Sequence, residues 1–314
     1  MSFPIPALRH SAFALPKRSP TFCSPAVARA AGRRVAAAKT ASKLGPSHNG
    51  AFATSQRSFP QVASVREFSS SSGRLSSSNM AALQSIKQNC KKVMCIGRNY
   101  ADHVKELNNQ RPKQPFFFLK PPSSMLLPNE GPVLRPAGVN MHFEVELGLV
   151  IGKQVKDINT EKDEDILQYI DSYVLTIDMT GRNVQEEAKK RGLPWSIAKG
   201  FDTFLPVAGP IAKSKVTDPH NVEIYLKVNG ETKQEDNTEL MLFRIPKQLS
   251  DISQVMTLEP GDIVLTGTPK GVGSVTSGDV MEAGMRINGK EVEEARINVE
   301  IKDKGGNYQF TETY

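Results

Sequence analysis

The chain has 314 residues and a formal net charge of +7, but its charge is divided unevenly along the sequence. Residues 1–80 contain eleven Lys and Arg and a single acid, Glu67, whereas the remaining 234 residues carry a net charge of −3. Three cysteines are too few for a disulfide framework, and no apolar run is long enough to cross a bilayer. The composition therefore excludes a disulfide-stapled secreted domain and a helical membrane protein, and the acidic body argues against nucleic acid as a partner.

The first 80 residues have the composition of an organelle presequence. No acid occurs before Glu67, and Arg, Ala and Ser are abundant. A positive segment is drawn toward the negative matrix side of the inner membrane, by about 2.3 kcal/mol per charge at 100 mV. We predict a mitochondrial presequence, in preference to a plastid one, with a Ser-rich linker over residues 1–80, a matrix location, and one catalytic domain over residues 81–314. A basic tail that binds nucleic acid is the alternative, and Met80 offers a second start that would give a cytosolic form.

Short strands dominate the body of the chain. Apolar or alternating runs predict strands, and apolar stripes at helical spacing predict helices. In chain order we predict strands at 93–96, 116–119 and 142–151, a helix at 161–171, a strand at 173–178, a helix carrying Arg182 to Lys189, strands around 224–228 with an Asn229-Gly230 turn, a helix at 246–255 and a strand at 263–265. Asn99 is predicted to cap a further helix that carries His103 and Glu106. The pattern indicates a β-rich α+β fold without the βαβ rhythm of nucleotide-binding domains.

The strand over residues 142–151 carries two neighbouring carboxylates. Acid and apolar residues alternate, so that His142, Glu144 and Glu146 share one face. Two adjacent carboxylates on an ordered strand repel each other unless a cation lies between them. Oxygen ligands of this kind suit hard divalent ions such as Mg²⁺, Mn²⁺ or Ca²⁺. A solvated polar face is the alternative interpretation of the same pattern.

Asp178 ends the next predicted strand, at a point where the chain turns. If the two strands are neighbours in a sheet, this carboxylate joins Glu144 and Glu146 in a site of three acids. Such a site leaves about three octahedral positions for water or a chelating ligand, as is usual for catalytic Mg²⁺. Taken alone, Asp178 is also explained as a cap of the helix that follows it.

His103 and Glu106 are candidates for proton transfer. They stand three residues apart on one predicted helix, so their side chains can meet. Glu106 can then orient the imidazole of His103 as a general base near neutral pH. An exposed ion pair has the same spacing and remains the alternative.

Three further side chains are candidates for binding an anion. Arg182 and Gln185 lie one turn beyond Asp178, where an Arg beside a metal suits a carboxylate substrate. Lys199 can place a point charge beside a developing enolate. A lysine after Trp195 can equally snorkel at the surface.

Taken together and in this order, these residues resemble one family. The matching segments are Ile96-Gly-Arg-Asn-Tyr-Ala-Asp-His103 with Glu106, Phe118-Leu-Lys-Pro121, His142-Phe-Glu-Val-Glu-Leu-Gly148, Asp178-Met-Thr-Gly-Arg-Asn-Val-Gln185, Gly192-Leu-Pro-Trp-Ser-Ile-Ala-Lys199, Leu226-Lys-Val-Asn-Gly230 and Leu258-Glu-Pro-Gly-Asp-Ile-Val-Leu-Thr-Gly-Thr-Pro269. In this combination the chain resembles the fumarylacetoacetate hydrolase superfamily, and within it the mitochondrial acylpyruvase and oxaloacetate tautomerase type. The resemblance runs from about Val93 to Asp279, which is most of the body.

The resemblance implies a fold, an assembly and a set of site residues. The fold would be a mixed β-sandwich roll with short peripheral helices, and the protein a homodimer. The implied ligands of Mg²⁺ or Mn²⁺ are Glu144, Glu146 and Asp178. The implied catalytic residues are His103 and Glu106, as a dyad on a lid segment, together with Lys199. The implied substrate-binding residues are Arg98, Arg182, Gln185 and Thr268.

The implied activity is metal-dependent chemistry on small 2-oxo acids through an enolate. Oxaloacetate keto–enol tautomerisation, acylpyruvate hydrolysis (including fumarylpyruvate) and oxaloacetate decarboxylation would all share that intermediate. A fumarylacetoacetase, or an isomerase or hydrolase of catechol-pathway dienoates, is the enzymatic alternative. A catalytically silent metal-binding dimer module is the non-enzymatic one.

Two features depart from the family pattern. Gly181 stands where another small residue such as Ala is expected, which changes little. Residues 281–314 are charged and form a longer ending than usual, without touching any motif position. The role of this ending stays open at the level of sequence.

Overall fold

The computed structural model of the chain describes residues 76–159 and 163–313. This part contains the helices α1 (Ser77–Asn89), α2 (Ala101–Glu106), α3 (Asp163–Ile166), α4 (Arg182–Arg191), α5 (Ser196–Lys199) and α6 (Ile245–Val255). Short 3₁₀ turns cover Pro122–Ser124, Leu167–Tyr169, Lys213–Lys215, Thr238–Leu240 and Glu293–Ala295. Within the described ranges, no helix is both long and apolar enough to cross a bilayer.

The strands outnumber the helices. In chain order they are β1 (Val93–Gly97), β2 (Phe116–Lys120), β3 (Met125–Leu126), β4 (Val133–Arg135), β5 (Met141–Phe143), β6 (Val145–Ile151), β7 (Ile170–Ile177), β8 (Thr180–Gly181), β9 (Leu205–Ala212), β10 (Glu223–Val228), β11 (Glu231–Asn237), β12 (Ile263–Leu265), β13 (Gly273–Val275), β14 (Val280–Ile287), β15 (Lys290–Glu291) and β16 (Ile297–Asp303). The predicted presequence lies outside the described residues except for its last positions, where α1 begins within the Ser-rich stretch.

Seven strands form the main sheet, in the order β2-β1-β12-β6-β7-β9-β3. Its two central strands, β6 and β7, are antiparallel and are buried on both faces. Leu147 and Leu149 of β6 point into the main core, whereas Val150 packs in a second cluster with Leu83 of α1. Burying each such side chain contributes about 1.5–3 kcal/mol, so this part of the sheet is a rigid support.

A second sheet covers the main core from the other side. It has the order β11-β10-β14-β16-β4, with β15 beside β14, and a small third sheet has the order β13-β5-β8. Ile224 of β10 and Met285 of β14 belong to the same buried cluster as Leu147 and Leu149. The sheets therefore enclose a common core, and the predicted β-rich α+β sandwich with short peripheral helices is confirmed.

The strand predicted over residues 142–151 is in fact two strands. β5 pairs with β8 and β13 in the small sheet, whereas β6 pairs with β7 and β12 in the main sheet. Glu144 lies between them, outside both strands. The alternation of acid and apolar residues continues across this break and conceals it. The break matters because it places Glu144 at the junction of two sheets.

The helix predicted at 161–171 is shorter than expected. α3 is followed by a single 3₁₀ turn, and β7 already begins at Ile170. The predicted helices around residues 182–189 and 246–255 are confirmed as α4 and α6. The predicted turn at Asn229 and Gly230 is also confirmed, since both residues adopt the positive φ angles that a tight hairpin requires.

The prediction that Asn99 caps a helix is wrong. The N-cap residue of α2 is Tyr100, and its side chain makes no capping hydrogen bond. The fully buried Asn99 amide instead donates to the carbonyl oxygens of Phe243 and Thr266, at 3.1 and 2.8 Å. Asn99 therefore ties together two loops that sequence reasoning treated separately.

The charged C-terminal part is integral to the fold. β14 and β16 are inner strands of the second sheet, and the chain continues beyond β16 along the loop before β5. There the backbone N–H of Phe310 donates to the carbonyl of Ala137 at 2.9 Å. The Phe310 ring packs against Val139, Val184 of α4 and Ala198 of α5. The C-terminal segment thus supports α4 and α5.

Candidate active site

Glu144, Glu146 and Asp178 meet at one end of the β6–β7 pair. Val145 is paired with Ile177, and the backbone N–H of Asp178 donates to the Glu144 carbonyl at 2.7 Å. One carboxylate oxygen from each acid lies within 4.8 Å of the other two. Each of the three acids is at most 6% exposed, which excludes the solvated polar face. Asp178 does not cap α4, because the N-cap position of that helix is Gly181.

Buried cations surround two of the three acids. Lys199 Nζ lies 2.9 Å from Glu144 Oε2 and 2.7 Å from Asp178 Oδ2. Arg182 Nη2 lies 2.5 Å from Glu144 Oε1, and Lys120 Nζ lies 2.7 Å from Asp178 Oδ1. Lys199 is 1% exposed, so it does not snorkel at the surface.

The same contacts leave Glu146 without a cationic side chain among the described residues. Its Oε2 accepts a hydrogen bond from the backbone N–H of Gly267 at 2.7 Å. Burial and the neighbouring Asp178 and Glu144 carboxylates raise the pKa of Glu146 well above its ordinary value. For Glu144, burial is the largest single effect and acts in the same direction, but the charges of Lys199, Arg182 and His103 together outweigh it and hold its pKa below the ordinary value.

This donor set fits a hard divalent cation. A buried carboxylate with no partner cation, close to two others, is unfavourable until a proton or a metal ion neutralises it. Three carboxylate oxygens and no soft ligand suit Mg²⁺ or Mn²⁺. The structure therefore supports divalent metal binding through Glu144, Glu146 and Asp178.

The predicted pairing of His103 with Glu106 is present on α2. His103 Nδ1 lies 2.7 Å from Glu106 Oε1, and the backbone N–H of Gly271 donates to Glu106 Oε2 at 2.8 Å. Burial alone would raise the pKa of Glu106, but these hydrogen bonds, led by that from His103, bring it below the ordinary value. An ionised Glu106 holds the proton on Nδ1 and leaves Nε2 as the basic nitrogen of His103.

His103 of the dyad and the three acids line one cleft. Nine of the ten predicted site residues line it, namely Arg98, His103, Glu144, Glu146, Asp178, Arg182, Gln185, Lys199 and Thr268. Glu106 stands behind His103. The exposed-pair alternative for the dyad is wrong, because His103 is 5% exposed.

Two of the lining residues have constrained conformations. Arg98 has a φ of 58°, which a non-glycine residue rarely adopts, and its guanidinium lies 5.5 Å from the Phe116 ring centroid. Such backbone strain is typical of functional sites. Arg182 Nη1 donates to Gln185 Oε1 at 2.6 Å. Within the described part of the chain, the side-chain NH₂ group of Gln185 donates to no other group, and Gln185 lines the cleft.

Sequence reasoning missed two residues next to the site. Lys120 is fully buried, and its ammonium group donates to the carbonyl oxygens of Met179 and Lys199 in addition to its ion pair with Asp178. Gln234 of β11 donates to Thr268 Oγ1 at 2.8 Å. Lys120 lies within one of the motif segments, and that position was the available signal.

The sequence matches a known family over most of this fold. Residues 92–298 match the family described as fumarylacetoacetate (FAA) hydrolase C-terminal. The chain belongs to the fumarylacetoacetate hydrolase family. The matched range contains all three acids, the dyad and every other residue predicted for the site.

Individual members of the family are also similar to this chain. A mitochondrial oxaloacetate tautomerase of Schizosaccharomyces pombe is 51% identical over 211 residues, covering 67% of this chain and 95% of that protein. A mitochondrial oxaloacetate decarboxylase of Dictyostelium discoideum is 48% identical over 196 residues, covering 62% and 88%. The crystal structure of fumarylpyruvate hydrolase from Pseudomonas aeruginosa in complex with Mn²⁺ and pyruvate matches with a TM-score of 0.60 and 32% identity, covering 68% of this chain and 91% of that one. These relatives are enzymes, and this chain is an enzyme of the same family.

Proposed function

We propose that this protein is a Mg²⁺- or Mn²⁺-dependent mitochondrial oxaloacetate keto–enol tautomerase. Acylpyruvate hydrolysis, including that of fumarylpyruvate, and oxaloacetate decarboxylation are proposed as companion activities. The observation that carries the proposal is a single cleft holding three clustered buried carboxylates and a His–Glu pair. The similarity to an oxaloacetate tautomerase and an oxaloacetate decarboxylase supports the choice of substrate.

The charges around the cleft support a dianionic substrate. Lys120, Arg182 and Lys199 already face the three carboxylates, so the ionised cluster is close to neutral. A bound divalent ion adds two positive charges, which the two carboxylates of oxaloacetate neutralise. An acylpyruvate with a neutral distal acyl group neutralises only one of them. Charge complementarity therefore favours dianions such as oxaloacetate and fumarylpyruvate over acylpyruvates with a neutral distal group.

Proton transfer is assigned to the dyad. When bound, the metal ion would act as a Lewis acid on the 2-oxo group and make a proton at C3 easier to remove. His103 Nε2 takes that proton and returns it to the 2-oxo oxygen, while Glu106 holds Nδ1–H and stabilises the transient imidazolium. For an acylpyruvate, the same nitrogen would activate a water molecule against the distal carbonyl.

The remaining side chains of the cleft are assigned to holding the substrate. Arg98, Gln185 and Thr268 offer hydrogen-bond donors to carboxylate oxygens. Lys199 lies between two of the acids, where its charge also stabilises negative charge that develops on the substrate oxygen.

A substrate panel tests this function. The purified chain is assayed with oxaloacetate, an acylpyruvate, fumarylpyruvate and fumarylacetoacetate, with Mn²⁺ or Mg²⁺ and after chelation. We expect the fastest turnover for the tautomerisation of oxaloacetate, which is monitored through the absorbance of the enol. Chelation of the metal should abolish this turnover. Faster turnover of fumarylacetoacetate would favour the alternative enzyme, and no metal-dependent turnover of any compound would favour the silent module.

We further propose a homodimer in the mitochondrial matrix. The basic composition of residues 1–80 and the mitochondrial location named for both relatives support the compartment. Light scattering of the purified protein tests this assembly, and we expect the mass of a dimer. A monomeric mass at micromolar concentration would contradict the proposal.

A further inference from the structure

Gln234 lies directly behind the cleft, in the second sheet. It is 1% exposed and is not among the residues that line the cleft. Its side chain nevertheless contacts both sides of the site. One contact is the backbone next to Glu144, and the other is the loop that contains Thr268.

The orientation of the Gln234 amide is fixed by the backbone around it. Oε1 accepts a hydrogen bond from the N–H of Val145 at 2.9 Å, and Nε2 donates to the carbonyl of Pro269 at 2.9 Å. A peptide N–H on one side and a peptide carbonyl on the other permit only one orientation of an amide. The group 2.8 Å from Thr268 Oγ1 is therefore the NH₂ group of Gln234, which is a donor.

This contact decides the direction in which Thr268 forms hydrogen bonds. Because its oxygen already accepts from Gln234, the hydroxyl proton is left to donate elsewhere. Across residues 76–159 and 163–313, no hydrogen bond uses that proton, although Thr268 is 3% exposed. Thr268 lines the cleft together with the three acids. The proton is thus available to an acceptor bound in the cleft.

We propose that Gln234 is a positioning residue that makes Thr268 a hydrogen-bond donor to a carboxylate oxygen of the substrate. The amide of Gln185 is likewise oriented as a donor, because Arg182 donates to its oxygen and its NH₂ group remains as a second donor. The ligand recognised at these positions is an ionised carboxylate, which carries acceptors only. This inference rests on the proposed function, because a 2-oxo dicarboxylate supplies such groups.

A purely structural role for Gln234 makes a different prediction. If the residue only held Val145 and the 268–270 loop in place, its loss would disturb the acids and weaken metal binding. If it acts through the Thr268 hydroxyl, its loss weakens binding of the anion and leaves metal binding unchanged. Removing the hydroxyl first should then make the loss of Gln234 inconsequential.

A double-mutant cycle on the full chain separates these roles. Gln234→Met keeps the length of the side chain, Thr268→Val keeps its shape, and Thr268→Ser retains the hydroxyl as the control. The dissociation constant of oxalate, a planar dicarboxylate, is measured by calorimetry on each Mn²⁺-loaded protein. The dissociation constant of Mn²⁺ is measured separately, in the absence of oxalate. Oxaloacetate turnover gives kcat and KM for each variant.

Each of Gln234→Met and Thr268→Val is expected to weaken oxalate binding about tenfold, as for one charge-assisted hydrogen bond. The double variant is expected to bind oxalate no more weakly than Thr268→Val alone, and Thr268→Ser to bind like the wild type. Gln234→Met should raise KM for oxaloacetate more than it lowers kcat, with Mn²⁺ affinity unchanged.

Additive losses in the double variant would overturn the inference, because Gln234 would then act independently of the hydroxyl. Weakened Mn²⁺ binding in Gln234→Met, or unchanged oxalate binding, would overturn it as well. Failure of the proposed function shows separately, as absence of metal-dependent oxaloacetate turnover by the wild type while the oxalate cycle can still be measured.

Discussion

The three buried acids of the cleft differ in their counter-charges. Glu144 and Asp178 each contact two cationic side chains, whereas Glu146 receives a backbone hydrogen bond from Gly267. The raised pKa of Glu146 follows from its burial and from the two neighbouring carboxylates. Among the three acids, Glu146 is therefore the one whose negative charge a bound metal ion would stabilise most.

Glu146→Gln should separate metal binding from fold stability. The substitution keeps the size of the side chain and removes an uncompensated buried charge, so stability without metal should be equal or greater. Mn²⁺ at a hundred times its dissociation constant should stabilise the wild type by about 2.7 kcal/mol, and the variant by far less. Denaturant unfolding with and without Mn²⁺ measures both quantities. An equal gain from Mn²⁺ in the two proteins would rule out Glu146 as a ligand.

His103→Ala should remove proton transfer and spare the metal site. A general base typically contributes about 10²–10⁴-fold, so tautomerase turnover should fall by that order. Mn²⁺ affinity should be unchanged, because the three acids remain. Glu106→Gln serves as the milder control, since it keeps a hydrogen-bond acceptor for the imidazole. Turnover of His103→Ala close to that of the wild type would remove the dyad from the mechanism.

The spacing of the acids, of His103 and Glu106, and of Arg182 and Gln185 indicated candidate groups, whereas the combined site, with Arg98 and Thr268, was implied only by the resemblance to the family. Lys120 was missed although it lies in a motif segment, because the apolar run of β2 before it does not indicate that its charge is buried. Gln234 was missed because β11 consists of polar residues and indicates a solvated strand. Both are buried through contacts with segments distant in sequence.

The elements were predictable wherever a local pattern determines them. The strands β1, β7 and β12, the helices α4 and α6, and the hairpin turn follow from periodicity and turn residues. The break between β5 and β6 at Glu144 could not be predicted, because acid and apolar residues alternate in the same phase on both sides of it. The break arises because the two strands pair with different sheets.

β16 illustrates a signal that was present but not used. Ile297, Val299 and Ile301 alternate with polar residues, and all three are buried in the second sheet. This pattern predicts a strand within the charged ending that sequence reasoning left without a role.

Phe310→Ala should weaken the support of α4 and α5. The partly buried ring packs against Val184 and Ala198, so we expect a loss of about 1–3 kcal/mol in the free energy of unfolding, less than for a fully buried aromatic residue. KM for oxaloacetate should rise, because α4 carries Arg182 and Gln185.

Denaturant unfolding and steady-state kinetics measure the two effects of Phe310→Ala. Tyr308→Ala is the matched control, since the Tyr308 ring is 40% exposed and contacts Phe201 at a centroid distance of 5.1 Å. Wild-type stability and KM in Phe310→Ala would contradict a supporting role for the C-terminal segment.

The whole sequence divides into a basic segment, residues 1–80, and an acidic body. If the basic segment is a presequence, a chain that starts at Met80 lacks its ten net positive charges and should remain outside isolated mitochondria. The full chain should be imported, and only while the membrane potential is maintained, because the potential acts on those charges. Protection from added protease measures import. Equal protection of both chains would contradict a presequence in residues 1–80.

The proposed chemistry depends on a divalent ion held jointly by Glu144, Glu146 and Asp178. Electron paramagnetic resonance of Mn²⁺ titrated into the chelator-treated full chain tests it most directly, with Glu144→Ala measured in parallel. We expect saturable binding at one site per chain for the wild type and no binding at the same concentrations for the variant. Equal binding of Mn²⁺ by the two proteins would contradict it.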